Sequence, residues 1–299
     1  MRVFVTGATG FIGSAVIPEL IGAGHQVVGL ARTDKAAAAL SAAGAEVHHG
    51  GLDDLESLRS GAATADGVIH LAYKHDFSDY AGAVATDLRA VETIGAALEG
   101  SGKPFVITSG TMILSMLLPP GQTGTEETVA RAELPRGGSE CLAMALAERG
   151  VRASVVRLSP SVHGERDKGF VPALIAIARD KGVSAYIGDG TNRWPAVHRL
   201  DAARLFRLAL EQAPAGSRLH GAGEEGVPFR DIAGVIGRHL NLPVVSIPPE
   251  EANAHFGFLG AFAGRDNPTS SLLTQERLNW RPEHHGLIAD LEEGHYFNN

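Results

Sequence analysis

The sequence predicts an α/β protein, a doubly wound parallel sheet with a smaller C-terminal lobe, and three observations carry that prediction. Short apolar strands alternate with helical patterns from the first residues to about 158. A glycine run, Thr6-Gly7-Ala8-Thr9-Gly10-Phe11-Ile12-Gly13, joins the first strand to the first helix. Beyond Pro160 the alternation loosens, as it does where a chain leaves a regular sheet for a second lobe.

Taken in order, strands are expected at about 2–6, 26–31, 45–49, 67–72, 104–109 and 153–158. Val3-Phe4-Val5 supplies the first, and the glycine run then opens a helix. Gly7 permits the tight turn, Gly10 lets the backbone approach a pyrophosphate, and Gly13 lets helix and strand pack closely, with the positive helix end facing the anion. Pro18 falls inside this helix and predicts a kink rather than a break. Ala36-Ala37-Ala38-Ala39 favours the second helix. Helices at about 84–99 and 138–149 read as cover for the sheet or as the interface of a homodimer. A helix at about 169–181, a strand at Ala185-Tyr186-Ile187 and the turn Gly188-Asp189-Gly190 belong to the lobe. A return strand and helix follow from Trp194 to Ala203. The expected division is 1–159 with 193–213 for a nucleotide-binding domain, and 160–192 with 214–299 for a substrate lobe.

Composition narrows the function. A formal charge of −8 over 299 residues argues against nucleic acid or an anionic membrane as partner and leaves a small-molecule substrate. Cys141 is the one cysteine, so neither an intramolecular disulfide nor a cysteine-rich metal site is expected. No apolar run approaches the ~20 residues that cross a bilayer, and a cytoplasmic location is the expectation.

The TGxxGxxG spacing, with Gly67-Val68-Ile69-His70-Leu71-Ala72, Phe105-Val106-Ile107-Thr108-Ser109-Gly110, the run from Val155 to Gly164 and Gln275-Glu276-Arg277-Leu278-Asn279-Trp280-Arg281-Pro282, resembles the extended and atypical branches of the short-chain dehydrogenase/reductase superfamily, close to the NAD-dependent epimerase/dehydratase group. That resemblance covers nearly the whole chain and implies a Rossmann sheet binding NAD(P). It places Gly7, Thr9, Gly10, Phe11, Ile12, Gly13, Leu52, Leu71, Ala72, Thr108, Pro160 and Val162 along the cofactor. NAD enzymes set an acid at the end of the second strand, where this chain has Ala31 and Arg32. A guanidinium suits a 2′-phosphate, so NADP(H) is expected ahead of NAD. Arg32 also reads as a solvated strand-end charge, and Asp34 as an acid bending back to the ribose. Gly50-Gly51-Leu52-Asp53 departs from the family's Gly-Asp-Leu, leaving Asp53 as an adenine contact.

The family's Tyr, with Lys four residues later, is absent: no tyrosine of the chain is followed by Lys at that spacing. Arg136 and Glu140 align on the two positions. Arg136 cannot donate a proton at ordinary pH and reads as an anion-binding group or a solvated helix-start charge. Glu140 reads as an acceptor for ribose hydroxyls or an exposed carboxylate. The third catalytic position aligns near Gly110, with Ser109 or Thr111 as substitutes and Thr111 preferred. His163 stands where relatives carry a Tyr, and an imidazole serves as a general acid near neutral pH, so it is the expected proton donor. Tyr73 and His75 are reserve candidates beyond the fourth strand, while His48, His49, His70 and His198 read as structural. Asp201 resembles a fold-stabilising landmark. The expected function is an NADP(H)-dependent oxidoreductase on a small organic substrate; the alternatives are a non-catalytic NADP(H)-sensing regulator and a nucleotide-dependent epimerase or dehydratase.

Overall fold

The protein is described by a computed structural model covering residues 1–75 and 79–298. Six strands come first: β1 (Arg2–Thr6), β2 (Gln26–Ala31), β3 (Glu46–His49), β4 (Gly67–His70), β5 (Pro104–Gly110) and β6 (Arg152–Leu158). Helices α1 (Gly13–Gly22), α2 (Asp34–Ala42), α3 (Leu55–Ala63), α4 (Tyr80–Leu98) and α5 (Gly137–Glu148) lie among them. The chain continues through β7 (Ser161–His163), α6 (Phe170–Lys181), β8 (Ser184–Ile187), β9 (Arg193–His198), α7 (Arg199–Gln212), β10 (Ser217–Gly221), β11 (Glu224–Pro228), α8 (Phe229–Leu240) and β12 (Val244–Ile247). Short helices α9 (Ala252–Phe256), α10 (Gly260–Ala263), α11 (Leu272–Leu278) and α12 (Leu287–Glu292) end it.

A seven-stranded parallel sheet runs β10-β6-β5-β4-β1-β2-β3. Its central strands are largely apolar because helices cover both faces: Val3, Phe4 and Val5 are fully buried. On one side α1 and α7 supply Val16, Leu20, Leu205 and Phe206 to the core. On the other, α3, α4 and α5 supply Leu58, Val91, Ile94 and Leu146. The strand order reverses between β1 and β4, and the crevice at their carboxyl ends is where open α/β sheets bind ligands. Helix α1 runs through Pro18 without a break.

The smaller lobe holds a three-stranded sheet, β11-β9-β7, and the pair β12-β8, around Trp194, Phe229, Ile232 and Leu291. Two boundaries differ from the expected division. The return strand β9 pairs with β7 and β11 in the lobe, and only α7 packs on the main core. Residues 217–221, expected in the lobe, form β10 at the edge of the main sheet. The landmark reading of Asp201 agrees with its contacts. Asp201 is 1% exposed and accepts the amides of Glu283 (3.1 Å) and His284 (3.0 Å), while its carbonyl takes the Trp280 indole N–H at 3.0 Å. Among the described residues no helix is long and apolar enough to cross a membrane.

Candidate functional site

At the reversal point the glycine turn is packed against backbone. Gly7 has φ +67°, and its carbonyl accepts from Gly10 N at 2.9 Å. A Cβ on Gly7 would sit 2.6 Å from Ala72 N, and one on Gly13 would sit 2.2 Å from the Gly7 carbonyl oxygen. Strand β4 therefore runs into Leu71 and Ala72 directly over the turn, with the Ala72 amide on Thr6 Oγ1 at 3.2 Å. Thr9 is exposed, and Phe11 and Ile12 are half-buried ahead of α1. The first amides of a helix have no intrahelical acceptor, so this end can take an anion. Arg32 is exposed just beyond β2, its stem beside Gly51. Asp53 is exposed and pairs with Lys74 Nζ at 2.8 Å, tying the loop after β3, where Leu52 is half-buried, to the loop after β4.

A polar column rises from the sheet toward this crevice. His70, fully buried, meets Thr6 Oγ1 through Nδ1 at 2.7 Å, and its Nε2 is 3.4 Å from Asp87 Oδ1. Asp87, on α4, also accepts from Ser139 Oγ at 2.7 Å and from Arg136 Nη2 at 3.3 Å. Burial alone would raise the Asp87 carboxyl; Arg136, His70 and Ser139 together bring it down to about 2. Arg136 donates as well to the Thr108 carbonyl, and Thr108 Oγ1 donates to the His70 carbonyl at 2.8 Å.

Arg136 is thus no solvated helix-start charge. It precedes α5 in the left-handed region (φ 61°), a conformation costing a non-glycine residue about 1 kcal/mol, and its half-buried side chain turns inward. The guanidinium carbon lies 4.4 Å from the centre of the Tyr73 ring. Tyr73 Oη and Arg136 Nε are both buried without a hydrogen-bond partner among the described residues. Burial, opposed by Arg136, pushes the Tyr73 phenol up to about 12, and burial with Arg136 lowers His75, whose ring meets that of Tyr73 at 5.3 Å.

Three further expectations need correction. Glu140 is 1% exposed, and both its oxygens are taken: Arg157 Nη2 donates to Oε2 at 2.7 Å, Arg157 Nε spans both oxygens, and Ser109 Oγ donates to Oε1. It clamps β6 to α5 instead of reaching for a ribose. Thr111 is fully buried and accepts from Asn267 Nδ2 at 3.0 Å. His163 is 1% exposed in β7 with Nδ1 on Asp290 Oδ2 at 2.8 Å, which fixes it to α12 in the lobe. Pro160 and Val162 lie half-buried between β6 and that histidine. The structure therefore gathers Gly7, Leu71, Ala72, Tyr73 and Thr108 at one place, while Thr111 is held by Asn267 and His163 by Asp290.

Sequence reasoning missed Asp87 and Arg157. A signal existed: His70 and Arg157 interrupt strands that are otherwise apolar, and a polar side chain in a doubly covered strand requires a buried partner.

Residues 3–220 match the NAD dependent epimerase/dehydratase family. An uncharacterized protein of Schizosaccharomyces pombe is 52% identical over 298 residues, 99% of this chain and 100% of the relative. A 2-alkyl-3-oxoalkanoate reductase of Stenotrophomonas maltophilia is 26% identical over 254 residues, 78% of this chain and 73% of the reductase. The dTDP-glucose 4,6-dehydratase DesIV of Streptomyces venezuelae, solved with NAD and TYD bound, superposes with a TM-score of 0.77 at 20% identity, covering 98% of this chain and 96% of that one. At that identity the likeness is one of fold.

Proposed function

Because the chain belongs to the NAD-dependent epimerase/dehydratase family, we propose that it is an NADP(H)-dependent oxidoreductase of a small organic substrate, with Tyr73 as proton donor and Arg136 as the charge that holds it. The observation carrying this reading is the buried Tyr73 hydroxyl, without a partner among the described residues, beneath the Arg136 guanidinium at the carboxyl end of β4.

The residues present fit a dinucleotide. Backbone crowding at Gly7 and Gly13 leaves no room for a side chain between turn, strand and helix, the packing a pyrophosphate cradle requires. Arg32 would hold a 2′-phosphate, the first-turn amides of α1 the pyrophosphate, and Leu71, Ala72 and Thr108 would flank the nicotinamide ribose. When bound, the cofactor supplies or accepts the hydride.

The chain itself handles the proton. A phenol held near 12 stays protonated at neutral pH, so it is ready to donate and still gives its proton to a more basic alkoxide or carbanion. The phenolate left behind forms beside a permanent cation, Arg136, whose own charge is balanced by Asp87. This is a different solution from a lysine-assisted phenol: the cation approaches the ring face, and a buried carboxylate fixes it in place. Thr111 remains a candidate for substrate contact only if Asn267 releases it.

A panel of ketones, enones and imines tests the reading through NADPH oxidation. Turnover that drops about 10²-fold in Tyr73→Phe with NADPH affinity preserved supports it. Tight NADPH binding with no turnover on any class would favour the sensing regulator, for which the missing Tyr/Lys pair speaks.

A further inference from the structure

Five of the chain's thirteen histidines, His163, His198, His284, His285 and His295, converge where β7, β9 and the residues before and after α12 meet. Asp290 lies at their centre, 2% exposed. Its Oδ2 is bound to His163 Nδ1 at 2.8 Å, and its Oδ1 faces His285 Nε2 at 3.2 Å and His295 Nε2 at 3.8 Å. Among the described residues none of these contacts involves the column of His70, Asp87, Arg136 and Tyr73.

We propose that His198, His285 and Asp290 form a binding site for a divalent transition-metal ion of the zinc class, with water completing the coordination. Their ligand atoms lie within 4.8 Å of one another, a spread that a tetrahedral ion with bonds of about 2.0–2.2 Å draws in by small rotations. Two imidazoles and one carboxylate are a borderline donor set, suited to zinc or cobalt and poor for calcium or magnesium, which want oxygen.

Two independent features support the choice. His163 occupies the other carboxylate oxygen, so Asp290 is oriented from behind and keeps Oδ1 for an ion, the supporting contact that metal-bound ligands usually have. His295 Nε2 is buried beside the same Oδ1 with no hydrogen-bond partner among the described residues. The overlapping set His198, Asp201 and His284 is the weaker site, because Asp201 is already held by two backbone amides and Arg204. On binding, the ion replaces the hydrogen bond between His285 Nε2 and Asp290 Oδ1, and the neutral His285 ring carries its proton on Nδ1.

The test uses the full chain and Co(II) or Zn(II) alone. We expect one equivalent of Co(II) to give a visible absorption band of tetrahedral intensity and Zn(II) to raise Tm. His285→Gln, at a position 40% exposed where folding is not at stake, should weaken binding at least tenfold and abolish the Tm shift. His49→Gln, at an exposed histidine outside the cluster, should change neither. Equal Co(II) affinity in the wild-type chain and His285→Gln would overturn the site, as would a band of octahedral intensity in both.

Discussion

The Arg136 guanidinium stands 4.4 Å over the face of the Tyr73 ring while one of its nitrogens reaches Asp87, 3.3 Å away. One side chain therefore links the loop after β4, helix α4 and the entry to α5. It is a cation that can neither lose its proton nor move without stranding a buried carboxylate. The chemistry proposed for Tyr73 and the stability of the column beneath it consequently depend on the same residue.

The pH profile separates two proton donors. With the Tyr73 phenol near 12, reductive turnover should stay flat from about pH 7 to 10, whereas an imidazole acid would lose activity above about 6.5. His163→Gln should hold turnover within about a factor of three, since His163 is buried with its Nδ1 committed to Asp290. Steady-state rates across that range, for wild type, His163→Gln and Tyr73→Phe, decide it.

Arg136→Met should cost about 3 kcal/mol in urea unfolding at pH 7, the penalty for leaving Asp87 buried without its cation. Asp87 titrates at about 2 in the fold, below its ordinary 3.8, so its contribution is complete above 3.8 and fades as pH falls toward 2. The gap between wild type and variant should therefore close on acidification. A gap independent of pH would assign the loss to packing.

Nucleotide preference rests on Arg32. Calorimetry should show NADPH bound more tightly than NADH, and Arg32→Ala should weaken NADPH by roughly 10- to 100-fold, the worth of charge-assisted hydrogen bonds to a phosphate, with NADH unchanged. Equal affinities before mutation would remove the argument.

Gly13→Ala should be damaging although it adds one methyl. That carbon would lie 2.2 Å from the Gly7 carbonyl oxygen, so the turn or the helix must shift, at a cost of about 1–3 kcal/mol and with loss of NADPH binding. Thermal unfolding and a titration of the same preparation would register both; a variant normal in each would mean that the turn carries no nucleotide.

Acid should loosen the far edge of the sheet. His220 is fully buried, its Nδ1 on the Ser270 carbonyl at 2.7 Å and its Nε2 3.4 Å from Arg157, and burial with that cation lowers it to about 3. The neutral ring stabilises the fold above about 6.5, and that contribution drains as pH falls toward 3. His220→Gln should flatten the slope of stability against pH in this window, measured by urea midpoints.

Much of the sheet was legible because strands buried on both faces read as unbroken apolar runs, as in Val3-Phe4-Val5 and Phe105-Val106-Ile107. Strand β10 was not, since Ser217-Arg218-Leu219-His220-Gly221 alternates like a loop or an ordinary edge. The glycine turn was legible through its context. The column was not: Asp87 reads as any helical acid, and only the fold brings it to His70, seventeen positions earlier in the chain. Arg136 sat in plain view, but the direction of its side chain follows from a left-handed backbone angle that a linear pattern does not encode.

Because β10 follows the excursion through β7, β8 and β9, the main sheet cannot be finished until about residue 221 has emerged from the ribosome. Until then the flank of β6 is an unpaired edge, and Arg157 lacks the imidazole that later closes over it. The two lobes are thus obliged to mature together during synthesis, and a chain halted before Ser217 should be a ready client for chaperones rather than a free-standing nucleotide-binding half.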